Sequence, residues 1–242
     1  MGVGRLALDT VDSTNAEAVR RMVDAPLWVL AGEQTSGRGR RGRAWASPRG
    51  NFHATLLMKP QGHATGAALR SFAAALALRE ALAEVSGVPG AFALKWPNDV
   101  LCNGGKIAGI LLESAGQGAG VAYLAIGIGV NLIAAPDPAL IESGAVAPVT
   151  LLGETGRRVE PAALLDVLAP SFAAWEARLT TEGFAPLRTE WLAHAARLGQ
   201  PIRARTGADT REGTFETLDE TGALILRTAE GRLTIPAADI FF

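Results

Sequence analysis

Between residues 91 and 132 the sequence is a series of short apolar segments separated by turns, with no helical pattern between them. The segments are AFALK, VLCN, KIAGILLES and VAYLAIGIGVNL, and Gly104 and Gly105 favour a tight turn between the second and third. Strands joined by so few residues pair antiparallel, because a parallel pair needs a crossover of a dozen or more residues. This region therefore predicts a meander within a mixed sheet.

Strands and helices alternate on either side of this meander. RLALDTV, PLWVLAGEQ and NFHATLLMK have strand character. Ser13 or Thr14 can cap the helix after the first strand, and Thr14 and Glu17 have the spacing of a capping box. Pro161 is suited to the first turn of another helix. Helices are thus predicted at about 14–25, 64–85, 161–178 and 185–199.

The pattern changes after Gly199, where four short alternating segments are separated by Thr-Gly and Glu-Gly turns. Such spacing is typical of a small all-β barrel of about four or five strands. We expect two domains, at 1–198 and 199–242. The predicted class is α+β: a mixed, mostly antiparallel sheet packed with helices, followed by a small β module.

Charge and cysteine content restrict the partners and the compartment. The 23 Lys and Arg residues balance 24 Asp and Glu residues, so no overall field attracts nucleic acid or an anionic membrane. The single cysteine, Cys102, excludes an intramolecular disulfide, and the N-terminal residues lack a signal-peptide pattern. The most apolar stretch, YLAIGIGVNLIAA, is shorter than the roughly 18 residues of a membrane span. We expect a cytoplasmic protein that binds neither DNA nor membrane.

The segment TSGRGRRGRAW, residues 35–45, concentrates four arginines between glycines. Glycines allow close backbone approach and arginines supply planar cationic donors, a combination suited to enclosing an anion. Three interpretations are open: an inert surface loop, a nucleic-acid patch, or a flap over a phosphorylated ligand. Trp45 is the one aromatic residue nearby, and no wider excess of basic residues supports polymer binding. The pattern favours a small anionic ligand, although no Walker-type phosphate loop is present.

The chain contains three lysines, Lys59, Lys95 and Lys106, against twenty arginines. Where arginine is otherwise preferred, a retained lysine indicates a need for a compact, flexible charge, unless so few lysines are placed by chance. Lys106 follows a Gly-Gly turn and precedes small residues that permit close ligand approach. Asp99 follows Lys95 at a predicted strand end, where its carboxylate either orients a lysine or cation or only forms a turn.

In order along the chain, five motifs together resemble those of the biotin protein ligases. They are DSTN at 12–15, EQTSGRGRRGRAW at 33–45, KWPND at 95–99, KIAGILLE at 106–113 and IGIGVN at 126–131. The resemblance covers the larger domain and extends into the C-terminal β module. It implies a class II synthetase-like catalytic domain followed by a small SH3-like β barrel.

The same resemblance implies two half-reactions that use biotin and ATP with Mg²⁺. The carboxylate of biotin attacks the α-phosphate of ATP, forming biotinyl-5′-AMP and pyrophosphate. A lysine of a biotin carboxyl carrier protein domain then attacks the mixed anhydride and releases AMP. Lys106, Arg38 and Arg40 are the implied catalytic residues, because they can stabilise charge on the transferring group.

The resemblance also implies a substrate-binding set. Ser13, Thr14 and Asn15 would line the pocket for the biotin head group, with Gln34 bonding its ureido ring. The remaining members of the set are Gly37, Arg38, Gly39, Arg40, Arg43, Trp45, Lys95, Asp99, Lys106, Gly109, Gly127 and Asn131. Singly, many of these residues have ordinary structural explanations, such as helix capping, ending a strand or relief of packing. No residue is assigned to bind a metal.

The sequence departs from larger relatives at two places. About a dozen residues precede the DSTN motif, so we expect no N-terminal DNA-binding domain. Some relatives place a tryptophan on adenine, whereas Pro148 or its neighbours take that position here. The oligomeric state, monomer or homodimer, is left open.

Two competing functions have different sequence signatures. Lipoate or octanoate ligases have a similar fold, but they lack the arginine-rich loop and have no ureido ring to bind. A nucleic-acid-binding module that uses residues 37–43 would need binding that falls steeply with salt. We further expect residues 36–44 to be mobile without ligand, because their like charges repel one another and Trp45 alone provides an apolar anchor.

Overall fold

A computed structural model describes the chain except residues 1–2, 22–25, 61–63, 116–120, 138–141 and 208. The larger sheet consists of β1 (Gly4–Val11), β2 (Leu27–Gln34), β3 (Phe52–Met58), β4 (Phe92–Lys95), β5 (Asp99–Cys102), β6 (Gly105–Ala115) and β7 (Tyr123–Val130). Its strand order is β1-β2-β3-β7-β6-β5-β4. Within the described residues, β1 and β2 form its one parallel pair. The predicted mixed, mostly antiparallel sheet is therefore confirmed.

The helices are α1 (Thr14–Arg21), α2 (Ala64–Ala68), α3 (Arg70–Ser86), α4 (Leu151–Thr155), α5 (Pro161–Glu182) and α6 (Phe184–Ala193). The single helix predicted at 64–85 is divided at Leu69. The helix predicted at 185–199 ends at Ala193, because the next residues form turns. Helix α4 was not predicted, and the hydroxyl of Thr150 caps it by accepting the Gly153 N–H. No helix in the described ranges is both long and apolar enough to cross a bilayer.

The start of α1 differs from the predicted capping box. The helix begins at Thr14, and the Ser13 carbonyl accepts the Glu17 N–H at 2.9 Å. The carboxylate of Glu17 pairs instead with Arg20 and Arg21 on the next turn. Ser13 is therefore the residue that precedes the helix, and the side chain of Thr14 is free to bond elsewhere.

The larger sheet has two different faces because successive side chains of a strand point to opposite sides. Phe52, Ala54 and Leu56 of β3 belong to the main core, which includes residues of α3 and α5. Leu57 faces the other way, into a small apolar cluster that includes Ala18 of α1. Helix α1 packs against β2, β3 and β7, so it covers one part of this second face. The rest of the second face is available for a binding site.

A buried ion pair joins α3 to α5. The Nε and Nη2 atoms of Arg70 donate to Glu176 Oε1 at 2.9 and 2.6 Å, and the Arg70 side chain is 6% exposed. Burial raises the pKa of Glu176, although Arg70 acts in the opposite direction. The pair fixes how the two helices pack, since either charge left alone there would be costly.

The C-terminal residues form a five-stranded antiparallel sheet. Its strands are β8 (Pro201–Thr206), β9 (Asp209–Leu218), β10 (Leu224–Thr228), β11 (Gly231–Ile235) and β12 (Asp239–Phe241), in the order β11-β10-β9-β8-β12. We call this sheet the C-terminal module. It shares the main apolar core, where Phe215 meets Trp191 edge-on. The Trp96 indole also donates to the Gly222 carbonyl at 3.0 Å, so the C-terminal module lies directly against the larger unit.

Candidate active site

A cavity of about 850 Å³ lies above the second face of the larger sheet, between that face and the C-terminal module. All sixteen residues predicted to bind substrate line this cavity, although they come from positions 13 to 131 of the chain. The structure therefore brings the whole predicted set together. Their individual roles stay predictions.

The floor of the cavity is made of glycines on β6 and β7. Gly109 pairs with Gly129 across these strands. A methyl group on Gly127 would lie 2.4 Å from Asn15 Oδ1, and one on Gly129 would lie 2.4 Å from Trp45 Nε1. These two glycines therefore leave the space that two of the protein's own side chains, Asn15 and Trp45, occupy. Gly129 was not predicted, although it stands two residues from Gly127 on the same face.

Asn15 is held from two sides. Its Nδ2 donates to Glu113 Oε2 at 2.6 Å, and its Oδ1 accepts from the Thr55 hydroxyl at 2.6 Å. Thr55 also lies 2.8 Å from the Thr14 hydroxyl. Because Asn15 Oδ1 can only accept, Thr55 must donate its single hydroxyl proton to Asn15. The bond between the two threonines is then one in which Thr14 donates to Thr55. The amide orientation of Asn15 is therefore fixed by its neighbours.

Gln34 ties α1 to the arginine-rich segment. Its Oε1 accepts the Thr14 N–H at 2.8 Å and its Nε2 donates to the Ser47 hydroxyl at 2.8 Å. Ser47 in turn donates to the Trp45 carbonyl at 3.1 Å. A methyl group on Gly37 would lie 2.5 Å from the Ser47 oxygen, so this position accepts only glycine without rearrangement.

The arginine-rich segment folds into a short hairpin, which we call the arginine hairpin (residues 37–45). The Gly39 N–H donates to the Arg43 carbonyl at 2.7 Å, and the Trp45 N–H donates to the Gly37 carbonyl at 2.9 Å. Arg41 lies at its tip with a φ of 55°, in the left-handed region. The hairpin forms one wall of the cavity.

The hairpin charges are paired within the protein, contrary to the premise behind the predicted mobility. Arg38 lies 3.8 Å from Glu113, and Arg41 and Arg43 lie 2.9 and 2.7 Å from Asp239 of β12. Burial lowers the pKa of Arg40, which Asp239 opposes. Like-charge repulsion among the arginines is therefore offset by these carboxylates. The mobility itself stays a prediction.

Trp45 stands across the glycine floor and is half-buried. Its Nε1 atom is buried and makes no hydrogen bond with any described residue. Lys106 Nζ lies 5.7 Å from the centre of the Trp45 ring. The indole thus forms the surface beside which the lysine charge is placed.

Two lysines converge on one carboxylate at the turn between β4 and β5. Lys106 Nζ is 2.7 Å from Asp99 Oδ1, and Lys95 Nζ is 3.7 Å from Asp99 Oδ2. Burial lowers the pKa of Lys95, an effect that Asp99 opposes. Of the two uses considered for Asp99, orienting a lysine is the one that this geometry supports.

Residues that follow Asn131 in the chain also line the cavity. Asn131 is buried. The Lys106 N–H donates to the Ala147 carbonyl at 2.8 Å and the Val149 N–H donates to the Lys106 carbonyl at 3.0 Å, which places Lys106 opposite Pro148. Pro148 and Val146 line the cavity there. Phe241, an aromatic residue of the C-terminal module, also lines the cavity. Sequence reasoning missed this contribution because nothing local connects residue 241 to residue 148.

Family profiles match most of the chain. The biotin/lipoate A/B protein ligase family matches residues 8–131, and the biotin protein ligase C terminal domain matches residues 198–242. The biotin–[acetyl-CoA-carboxylase] ligase of Paracoccus denitrificans is 57% identical over 237 residues, which cover 97% of this chain and 99% of the relative. The bifunctional ligase/repressor BirA of Bacillus subtilis (strain 168) is 31% identical over 96% of this chain and 71% of its own.

Solved structures agree with these matches. The biotin protein ligase from Aquifex aeolicus in complex with biotin and ATP superposes with a TM-score of 0.82 at 25% identity, covering 98% of this chain and 97% of that one. The Leishmania major biotin protein ligase in complex with biotinyl-5-AMP gives 0.70 at 27% identity, covering 98% and 100%. By sequence and by fold, the chain belongs to the biotin protein ligases of the biotin/lipoate A/B protein ligase family.

Proposed function

We propose that this protein joins biotin to ATP to form biotinyl-5′-AMP and pyrophosphate, and then transfers biotin to a lysine of a biotin carboxyl carrier protein domain. One observation carries the proposal: the Lys106–Asp99 pair lies in the same cavity as the Asn15–Thr55–Gln34 network and the arginine hairpin. A single cavity thus holds a polar pocket for a neutral head group and cations for a carboxylate and phosphates.

In the first half-reaction, two anionic groups must approach each other. Lys106 is placed to offset their repulsion, because its ammonium is fixed by Asp99 at 2.7 Å while the side chain keeps 30% exposure. Arg38 and Arg40 supply further cationic donors from the hairpin side of the cavity. Fixed donors that face developing charge stabilise the transition state more than mobile water does.

The biotin head group is assigned to the network around Asn15 and Gln34. The Thr14 hydroxyl lies 3.0 Å from Gln34 Oε1, but because Thr55 donates to Asn15, Thr14 donates its single proton to Thr55 instead. The second lone pair of Gln34 Oε1 can therefore accept an N–H of the ureido ring. Ser13 and Thr14 lie beside it at the start of α1. This supports the roles proposed for all four residues.

In the second half-reaction the incoming lysine must attack as a neutral amine. Asp99 lies beside Lys106 in the cavity, and its carboxylate is placed to accept the proton that the acceptor ammonium gives up. The new amide bond forms at the acyl carbon as the bond to the phosphate oxygen breaks, and AMP leaves with that oxygen. Lys106 then stabilises the charge on the departing phosphate.

The described residues form no cage for a metal ion. In the part of the chain that the structure describes, no group of three or more His, Cys, Asp and Glu side chains is arranged to hold one. The cavity carboxylates of Asp99, Glu142 and Asp239 are each paired with a cation. Magnesium is therefore assigned to the substrate as Mg·ATP, held mainly by phosphate oxygens and water.

The competing functions fit the site less well. A nucleic-acid patch needs arginines that are free to neutralise several phosphates, whereas the hairpin arginines pair with Asp239 and Glu113. A lipoate ligase has no use for the polar network around Asn15. Residues 1–198 and 199–242 are proposed as the two domains, supported by the separate C-terminal sheet.

The test is incubation of the purified protein with ATP, Mg²⁺, biotin and a generic biotin carrier domain. We expect pyrophosphate release that depends on biotin, and an avidin-detectable product that is absent when the acceptor lysine is replaced. Lys106→Gln should abolish both signals, whereas Lys59→Gln should not, because Lys59 is exposed and does not line the cavity. Equal turnover of lipoate or octanoate, or no biotin-dependent pyrophosphate, would reject the proposal.

A further inference from the structure

Asp239 is the point where the C-terminal module meets the arginine hairpin. It begins β12, and its carboxylate, 12% exposed, lies 2.9 Å from Arg41, 2.7 Å from Arg43 and 4.0 Å from Arg40. Arg205 of β8 approaches the same carboxylate at 3.3 Å. Three of the four hairpin arginines are thus gathered on one residue about 200 positions away in sequence.

The backbone beside Asp239 adds to this contact. Both terminal nitrogens of Arg40 lie 3.4 Å from the Ala238 carbonyl, and one lies 3.3 Å from Asn98 Oδ1. Arg40 therefore spans the junction between the larger sheet and the C-terminal module. Burial alone would raise the pKa of Asp239, but the surrounding arginines, Arg43 first, lower it below its ordinary value.

The position of Arg41 separates holding the hairpin from binding the ligand. Arg40 and Arg43 line the cavity, whereas Arg41 is not among the residues that line it. Its guanidinium therefore holds the hairpin from outside the cavity, through Asp239, which does line it. A change at Arg41 reaches a ligand in the cavity only by moving the hairpin.

We propose that Asp239 is a positioning residue for the reaction: its carboxylate holds the arginine hairpin over the cavity, so retention of the adenylate depends on the C-terminal module. This inference rests on the proposed function for its substrate. Around Asp239 and Glu142, four guanidiniums face two carboxylates, so the cluster keeps positive charge for an anionic ligand. Charge-assisted bonds of this kind are stronger than neutral ones, and several on one acceptor fix a loop more firmly than one.

The first readout needs no ligand. Hydrogen exchange at the Gly39 and Trp45 amides, both bonded within the hairpin, reports its opening. We expect Asp239→Asn to speed this exchange at least fivefold, Arg41→Gln to speed it less, and Asp239→Glu to restore part of the protection. In the double variant, Arg41→Gln should add little to Asp239→Asn, because both remove the same contact.

The second readout is escape of biotinyl-adenylate, measured by chase after a single turnover. Asp239→Asn and Arg41→Gln should speed escape in the same order as they speed exchange, with the rate of adenylate formation changed less than escape. Asp209→Asn and Arg211→Gln are matched controls, since they break a pair on β9 of the same module, with the atoms 3.8 Å apart. Both controls should behave as wild type.

The inference is overturned if Asp239→Asn keeps wild-type exchange and adenylate retention, or if the two single effects add in full. Should Asp239→Asn fail to fold, Arg41→Gln decides, because this side chain is exposed at the hairpin tip. If the wild-type protein forms no adenylate, the proposed function is rejected. The hydrogen-exchange measurements would still test whether Asp239 holds the arginine hairpin in place.

Discussion

Replacement of Gly129 by alanine tests whether the glycine floor positions Trp45 for catalysis. The added methyl would lie 2.4 Å from Trp45 Nε1 and 2.6 Å from Cε2. Ordinary contacts between carbon atoms are about 3.5–4.0 Å, so the indole must retreat by about 1 Å. A methyl on Gly109 would lie 3.4 Å from the other end of the ring, so the floor supports the indole along its length.

The size of the effect follows from this overlap. Inserting a methyl into a well-packed site costs about 1–3 kcal/mol, and about 1.4 kcal/mol corresponds to a tenfold change. If Trp45 lifts away, Lys106 also loses the ring that its Nζ atom approaches at 5.7 Å. We therefore expect kcat/KM for adenylation to fall by about fivefold to 150-fold.

The assay is continuous detection of pyrophosphate with biotin and ATP, alongside thermal unfolding of the same sample. Gly90→Ala is the matched control, because a methyl there has no neighbour within 4 Å and the backbone is outside the left-handed region. Trp45→Phe offers a second comparison. Its smaller ring leaves room for the methyl, so adding Gly129→Ala to it should cost less than about threefold.

Two results would refute this reasoning. Gly129→Ala with wild-type adenylation and wild-type thermal stability would mean that the contact with Trp45 is not tight. A loss of activity equal in size in the Trp45→Phe background would mean that the methyl acts on something other than the indole.

Four further predictions address the cations and the core. Lys106→Arg should slow pyrophosphate release about tenfold with the fold intact, because a rigid fork follows a moving oxygen poorly; release at the wild-type rate would contradict this. Arg38→Ala should lose about 1.5–3 kcal/mol of contact with the adenylate, so that it escapes more than tenfold faster and labels bystander lysines; labelling no greater than wild type would count against it. Trypsin should cut within 36–44 quickly in the free protein and slowly with biotin and ATP, and equal rates would remove the flap role. Arg70→Met should lower the free energy of unfolding in urea by about 3–5 kcal/mol by leaving Glu176 unpaired in the core, and adding Glu176→Leu should recover most of that loss; a double variant no more stable than Arg70→Met alone would argue against the pair.

The strands and the substrate-binding set were accessible from sequence because their signals are local. Strand-like patterns of apolar residues predicted β1, β2 and β3, and short apolar segments separated by turns predicted the meander. The motifs around Gln34, Lys95 and Lys106 keep their residues within a few positions of one another. Such short-range patterns do not depend on how the chain closes.

The boundaries and caps were less accessible. The division of the predicted 64–85 helix at Leu69 leaves no clear mark in a run of alanines. Thr14 has the spacing of a capping box with Glu17, yet its hydroxyl bonds to Thr55, its N–H bonds to Gln34, and the Glu17 carboxylate pairs with two arginines. Local preference lost in that case because a tertiary partner offered the stronger bond.

By itself, the sequence determined the order of the elements, the family motifs and the concentration of arginine between residues 38 and 43. Only the tertiary structure decided where those arginines point: Arg41 and Arg43 reach Asp239, and Arg38 reaches Glu113. Glu113 looks like an ordinary strand residue and Asp239 like an ordinary turn residue until the sheets pack. A charge acquires a specific partner through distances that the whole fold sets, and neither spacing nor composition encodes those distances locally.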